Sequence, residues 1–68
     1  MTAHTDQSAA ADYVMQCLHS PGTTTSISVL DKGARKQFRA LVSKRNKEKG
    51  YIIFSKFRRP LLTFWRVE

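Results

Sequence analysis

The sequence predicts a small α+β domain in which two or three helices are followed by a C-terminal β-hairpin. Two observations favour this fold class: two stretches carry apolar residues at helical spacing, and two later runs are rich in aromatic and β-branched residues. A chain of 68 residues makes one domain. A domain of this size buries only about 60% of the surface that its unfolded chain exposes.

The first helix is expected to follow a short polar segment. We expect a disordered N-terminal tail over residues 1–7 and a single domain over residues 8–68. A helix is predicted for residues 8–20, and Pro21 with Gly22 then ends it. Its buried stripe has the spacing i, i+4, i+7, i+8 and contains Ala10, Val14, Cys17 and Leu18.

The segment "TTTSISVL", residues 23–30, allows two interpretations. Its Thr and Ser residues can cap a helix, and Ile27 and Leu30 are one helical turn apart, so we favour a short helix over residues 25–30. Its β-branched content is typical of a strand instead. In that case the element order becomes α-β-α-β-β, and the hairpin gains a third strand.

A long amphipathic helix is predicted for residues 33–48, after a tight turn at "DKG" where Gly33 can adopt positive φ, and before a stop at Gly50. At about 100° per residue, one side of this helix is apolar and the opposite side is almost wholly cationic. The apolar side contains Ala34, Phe38, Leu41 and Val42. The polar side contains Lys32, Arg35, Lys36, Arg39, Ser43, Asn46 and Lys47, with Lys44 to one side.

Two strands are predicted over residues 51–57 and 61–67, joined by a short tip at "RRP". Side chains alternate between the two faces of a strand. We therefore place Phe54 on the same face as Leu62 and Phe64, and we expect it in the core. The tip is cationic, with Lys56, Arg58 and Arg59.

Charge is divided unequally along the chain. The formal net charge is +7, and all twelve Lys and Arg residues fall within residues 32–68. Residues 1–31 contain Asp but no Lys or Arg. This segregation, with its alignment on one helix face, favours nucleic acid as the partner. The alternatives are an acidic protein surface and a solvated face that has no specific partner.

Several classes of function find no support in the residues. Cys17 is the single cysteine and no signal peptide is evident, so we expect a cytoplasmic protein without disulfides. No apolar run approaches the roughly 20 residues of a bilayer span, and no membrane partner is expected. Cys17, His19 and His4 are too few for a zinc site. Without a Gly-rich phosphate loop or a nucleophile–base set, we expect neither a cofactor nor an enzyme.

The stretches "DYVMQCLHSPGTTTSISVL" and "ARKQFRALVSKRNKEKGYI" resemble the opening and the recognition helix of winged helix-turn-helix domains. The resemblance implies a small winged-helix-like domain that inserts helix 33–48 in the major groove. The wing tip, residues 56–59, would then meet the backbone or the minor groove. The nucleic-acid-binding residues implied are Lys32, Arg35, Lys36, Arg39, Ser43, Lys44, Asn46, Lys47, Lys56, Arg58 and Arg59.

The expected function is that of a small basic DNA-binding protein, acting as a transcriptional regulator or a recombination accessory factor. Its compactness suggests a phage or plasmid protein, and double-stranded DNA is the expected partner. An RNA-binding protein, whose aromatic strands meet RNA, is one alternative. A protein-interaction module that docks its cationic helix on an acidic partner is another. A homodimer through Trp65 and the exposed hairpin face is also considered.

Overall fold

The computed structural model describes residues 3–68, with side chains from Gln7 onward. Two helices and a three-stranded antiparallel sheet confirm the α+β class. The element order is α-β-α-β-β. The elements are α1 (Ala3–Cys17), β1 (Thr24–Ser28), α2 (Lys32–Lys49), β2 (Ile53–Arg58) and β3 (Leu61–Arg66).

The sheet has the strand order β1-β3-β2, so the last strand of the chain is the central one. Trp65 pairs with Thr24 of β1 on one side and with Phe54 of β2 on the other. Both pairings are antiparallel. Strand β3 therefore joins β1, from the N-terminal half of the sequence, to β2, its partner in the hairpin.

Both helices pack against the same face of the sheet. Apolar side chains from α1, α2 and β3 form one buried cluster, in which the rings of Phe38 and Phe64 meet edge to face at 5.8 Å between centroids. Among the described residues, the other face of the sheet has no helix over it. The buried cluster contains Ala11, Val14, Met15, Leu18, Phe38, Val42, Leu62 and Phe64.

Residues 24–28 form a strand, so the predicted helix over 25–30 is wrong. The Thr24 hydroxyl donates to the backbone carbonyl of Phe64 at 3.0 Å, and Ser26 and Thr63 share a hydroxyl hydrogen bond of 2.8 Å. Pairing with β3 thus uses the hydroxyl groups that we read as helix caps. Because β1 lies between α1 and α2, the two helices are not joined by the 3–4-residue turn of a helix-turn-helix.

The first helix begins earlier and ends earlier than predicted. It starts at Ala3 and stops at Cys17, so residues 3–7 lie in α1 rather than in the predicted tail over 1–7, whose first two residues lie outside the described part of the chain. Its buried face is also rotated from the predicted one, since Ala11 and Met15 are buried and Cys17 is only half-buried.

The second helix begins and ends with clear caps. The side chain of Asp31 accepts a hydrogen bond of 2.8 Å from the amide of Ala34, so the helix starts at Lys32 and Gly33 lies in its first turn, not in a tight turn before it. At the other end Gly50 has φ +76, the left-handed conformation that favours glycine. The predicted stop at Gly50 is confirmed.

The hairpin forms as predicted, but the faces of β2 are reversed. Ile53 and Phe57 point toward the helices, whereas Phe54 lies on the open face with 52% of its surface exposed. The cause is the two-residue tip, which pairs Arg58 with Leu61 and fixes the register of the whole ladder. The expectation that Phe54 belongs to the core is therefore wrong.

Candidate nucleic-acid interface

A stripe of polar side chains runs along the exposed side of α2. Its members are three or four residues apart, so they share one side of the helix. Over this span the stripe is about 22 Å long, because each residue adds about 1.5 Å. It consists of Lys32, Lys36, Arg39, Ser43 and Lys47, all exposed, and we call it the α2 stripe.

An open groove of about 500 Å³ lies between the α2 stripe and strand β2. Lys36, Arg39 and Lys47 line one wall, and the residues that line this groove include no Asp or Glu. Ile53 and Ser55 line the opposite wall. The groove therefore joins a cationic wall to a neutral one, and Ser55 is a polar neighbour that the sequence analysis did not select.

Asn46 lies at the floor of this groove and not on its rim. Only 5% of its surface is exposed, so it does not offer the solvent-facing amide that a phosphate contact requires. Its side-chain carbonyl oxygen has no hydrogen-bond partner among the described residues. A buried acceptor without a partner has lost its hydrogen bonds to water and gained none in the protein, which destabilises the fold. The predicted contact of Asn46 with nucleic acid does not fit this position.

The side chain of Arg35 makes its contacts within the protein. Its guanidinium stacks over the ring of Phe57 at 3.7 Å from the centroid, and it donates to the backbone carbonyl of Val29 at 3.3 Å. The side chain is half-buried. These contacts tie the start of α2 to β2 and to the β1–α2 connection. Arg35 is thus less free to read a base than its place on the helical wheel indicates.

The predicted cationic tip is divided between two sides of the sheet. Arg59 lines a recess with Lys32 and Arg35, so it extends the α2 stripe at its N-terminal end. Lys56 and Arg58 point to the opposite side, onto the open face of the sheet. The structure therefore brings only part of the tip together with α2.

The remaining predicted cation, Lys44, is exposed but does not line the groove. Arg45, which the sequence analysis did not assign to the site, instead joins the two helices. It forms an ion pair with Asp12 and donates to the hydroxyl of Ser8 at 3.0 Å. This pair neutralises one cation of α2 on the side away from the groove.

A second pair of polar groups lies on α1, away from the groove. A side-chain hydrogen bond with Cys17 raises the pKa of the exposed Tyr13 hydroxyl, and the charge of the Cys17 sulfur acts in the same direction. The hydroxyl of Thr25 acts in the opposite direction. None of these three groups contributes to the α2 stripe.

Two other features are absent from residues 3–68, the part of the chain that the structure describes. No group of three or more His, Cys, Asp or Glu residues in it lies close enough together to hold a metal ion. Nor does any of its helices have the length and apolar character needed to cross a bilayer.

Comparison of the chain with models of protein families, with curated proteins and with solved structures finds no match in any of the three.

Proposed function

We propose that this protein binds double-stranded DNA through the α2 stripe, with Arg59 as its extension. The observation that carries the proposal is a side of α2 that presents four cations and no carboxylate. Four Lys and Arg side chains project from one helix side, and the groove beside them is lined by no carboxylate. A regulator of transcription or a recombination accessory factor is the class of protein to which this activity would belong.

The shape of α2 suits a DNA duplex. The major groove of B-DNA is about 12 Å wide and admits an α-helix, and helices that read it use residues of their N-terminal half. On α2 these are Lys36 and Arg39. Lys and Arg are the residue types that most often bond to the O6 and N7 atoms of guanine. Lys32 and Lys47 stand at the two ends of the stripe, where they would hold phosphates, and Arg59 would reach the backbone beside Lys32.

The same geometry favours duplex DNA over duplex RNA. The major groove of A-form RNA is deep and narrow, so side chains on a helix do not reach its base edges. A helix that presents only cations can still attract RNA through its phosphates, but without reading bases. We therefore expect the protein to prefer a DNA duplex to an RNA duplex of the same sequence.

The test compares two single substitutions that remove the same charge. Lys36→Ala removes a cation of the α2 stripe, whereas Lys49→Ala removes an exposed cation that lines a different recess, beside His19 and Glu48. Binding to a labelled DNA duplex is measured by anisotropy at low salt. We expect Lys36→Ala to weaken binding severalfold more than Lys49→Ala, with both variants folded by circular dichroism.

Two results would contradict the proposal. Equal losses in the two variants would mean that only total charge matters and that the α2 stripe is not the contact. Absence of binding to any nucleic acid at low salt would instead favour the acidic protein partner. The RNA alternative would be favoured by tighter binding of an RNA duplex than of the matched DNA duplex.

A further inference from the structure

The open face of the sheet carries its own arrangement of side chains, separate from the α2 stripe. On this face β2 and β3 contribute three cross-strand pairs, and successive pairs are about 7 Å apart along the strands. The pairs are Phe54 with Trp65, Lys56 with Thr63, and Arg58 with Leu61. We call this set the sheet platform.

One end of the sheet platform is aromatic. The rings of Phe54 and Trp65 lie 6.0 Å apart between centroids at an interplanar angle of 42°. Phe54 is 52% exposed, whereas Trp65, on the central strand, is half-buried. Exposed apolar surface of this kind commonly marks a site that a binding partner covers.

The other end of the sheet platform is cationic. Lys56 is one pair along from the aromatic rings and Arg58 is two pairs along, at about 7 and 13 Å. The three strands contain no Asp or Glu, so this face supplies no counter-charge to either cation. A second copy of the same face would add two more cations and no carboxylate. The complement of the platform is therefore an anion that also carries flat apolar surfaces.

We propose that the sheet platform binds a single-stranded nucleic acid, with a base stacked on Phe54 and Trp65 and the adjoining phosphates on Lys56 and Arg58. Unpaired bases expose the π-faces that stack on aromatic side chains, whereas a duplex hides them. The platform spans about three strand pairs, which matches a contact of a few nucleotides. This activity is distinct from duplex binding, because it uses other residues on another side of the molecule.

Trp65 is the single tryptophan of the chain and reports directly on this contact. The full chain is titrated with oligodeoxythymidylate and with oligouridylate of about 12 nucleotides, within the range of single-strand site sizes. We expect both to quench the Trp65 fluorescence to saturation, and the ratio of their affinities separates DNA from RNA as the preferred strand. A DNA duplex should quench it much less.

A pair of matched substitutions tests the stacking. Phe54→Leu keeps an apolar side chain but removes the aromatic ring, and we expect it to weaken oligodeoxythymidylate binding about 5- to 100-fold. Tyr13→Leu removes an aromatic ring of similar exposure, 54%, from α1. We expect Tyr13→Leu to leave the affinity unchanged. Circular dichroism checks that both variants remain folded.

If Phe54→Leu fails to fold, Lys56→Gln with Arg58→Gln replaces it. Both side chains are exposed, and we expect the double variant to bind the oligonucleotide more weakly and with a flatter salt dependence. Retention of wild-type affinity in a folded Phe54→Leu, or in the double variant where Phe54→Leu does not fold, would overturn the proposal.

Two further outcomes would also overturn it, and they separate it from duplex binding. Loss of single-strand binding in Lys36→Ala/Arg39→Ala would place the strand on α2. Sedimentation that shows a dimer without nucleic acid, with Trp65 already protected from quenchers, would mean that a second copy covers the platform. Loss of duplex binding alone in Lys36→Ala/Arg39→Ala would support two separate surfaces.

Discussion

The α2 stripe and the sheet platform carry the same sign of charge but differ in shape. The stripe is convex, with four cations and Ser43 spaced three or four residues apart on one helix. The platform is a sheet surface on which an aromatic pair, with Phe54 exposed and Trp65 half-buried, precedes two cations. Net charge and composition alone do not distinguish the two surfaces, because both contain Lys and Arg. The difference lies in what stands beside the cations, and this decides which form of nucleic acid each surface suits.

The two surfaces also depend on the core in different ways. The stripe rests on a helix whose opposite side is buried through Phe38 and Val42. The platform lies on the reverse of a sheet whose inner face contributes Leu62 and Phe64. One buried cluster therefore lies between the two surfaces and supports both. Loss of this core should abolish both binding activities, whereas changes at either surface should affect only one.

The largest effect is expected from the shared core. Phe38 is 2% exposed and its ring meets Phe64, so Phe38→Ala should lower the free energy of unfolding by about 3–5 kcal/mol. A domain of this size has little more stability than that. We expect urea or thermal unfolding to show a largely unfolded variant that has lost both binding activities. A variant that retains its melting temperature would show that Phe38 does not join the two layers.

Salt should then separate the two surfaces. Three cations, Lys32, Lys47 and Arg59, would hold phosphates of the proposed duplex. Their number predicts a log–log slope of about −2.7, or a loss of about 40-fold between 50 and 200 mM salt. Lys56 and Arg58 alone predict a slope of about −1.4 for a single strand, or about sevenfold. Equal slopes for duplex and single strand, measured by titration, would mean that one surface binds both.

A smaller difference is expected between two arginines that lie on the same side of α2. Arg35→Ala removes the stacking on Phe57 and should cost about 1–2 kcal/mol of stability. Arg39 is exposed, so Arg39→Ala should change stability by less than about 0.5 kcal/mol while it weakens duplex binding. Thermal melts and duplex titrations of both variants check this. The reverse order of stability would show that Arg35 is free for the ligand.

The smallest effect concerns the floor of the groove. Asn46→Leu replaces a buried carbonyl oxygen that has no hydrogen-bond partner within the described part of the chain, so we expect stability to rise by up to about 1 kcal/mol. Asn46→Asp should destabilise, because it places an unpaired charge in the same position. Duplex affinity should change little in Asn46→Leu, since the cations of the stripe remain. A marked loss of stability in Asn46→Leu would mean that the oxygen is bonded in solution.

Local sequence patterns predicted the elements that depend on few distant contacts. The bounds of α2, its stop at Gly50 and the C-terminal hairpin follow from periodicity and turn chemistry. The strand at 24–28 was harder, because its partner Trp65 lies some 40 residues further along. Its β-branched alternation was the available signal, and the helix-capping potential of its Thr and Ser residues outweighed it.

The site was predictable in composition but not in arrangement. The helical wheel grouped Asn46 with the cations, yet packing against β2 and β3 buries that edge of the helix. The length of the hairpin tip determines which face of the sheet Phe54 occupies. A two-residue tip between Arg58 and Leu61 pairs Phe54 with Trp65 and not with Phe64. A shift of one residue in that register would have moved every aromatic side chain of β2 to the other face.

The central position of β3 governs how the protein can be made. During synthesis β1 emerges early, but its partner strand ends only at Arg66, so the backbone groups of β1 stay exposed to solvent until β3 has been made. The backbone groups of β2 likewise have no partner strand until β3 is present. A truncation before Leu61 would leave two helices and two strands with nothing between them, and we expect such a product to be degraded as an unfolded chain.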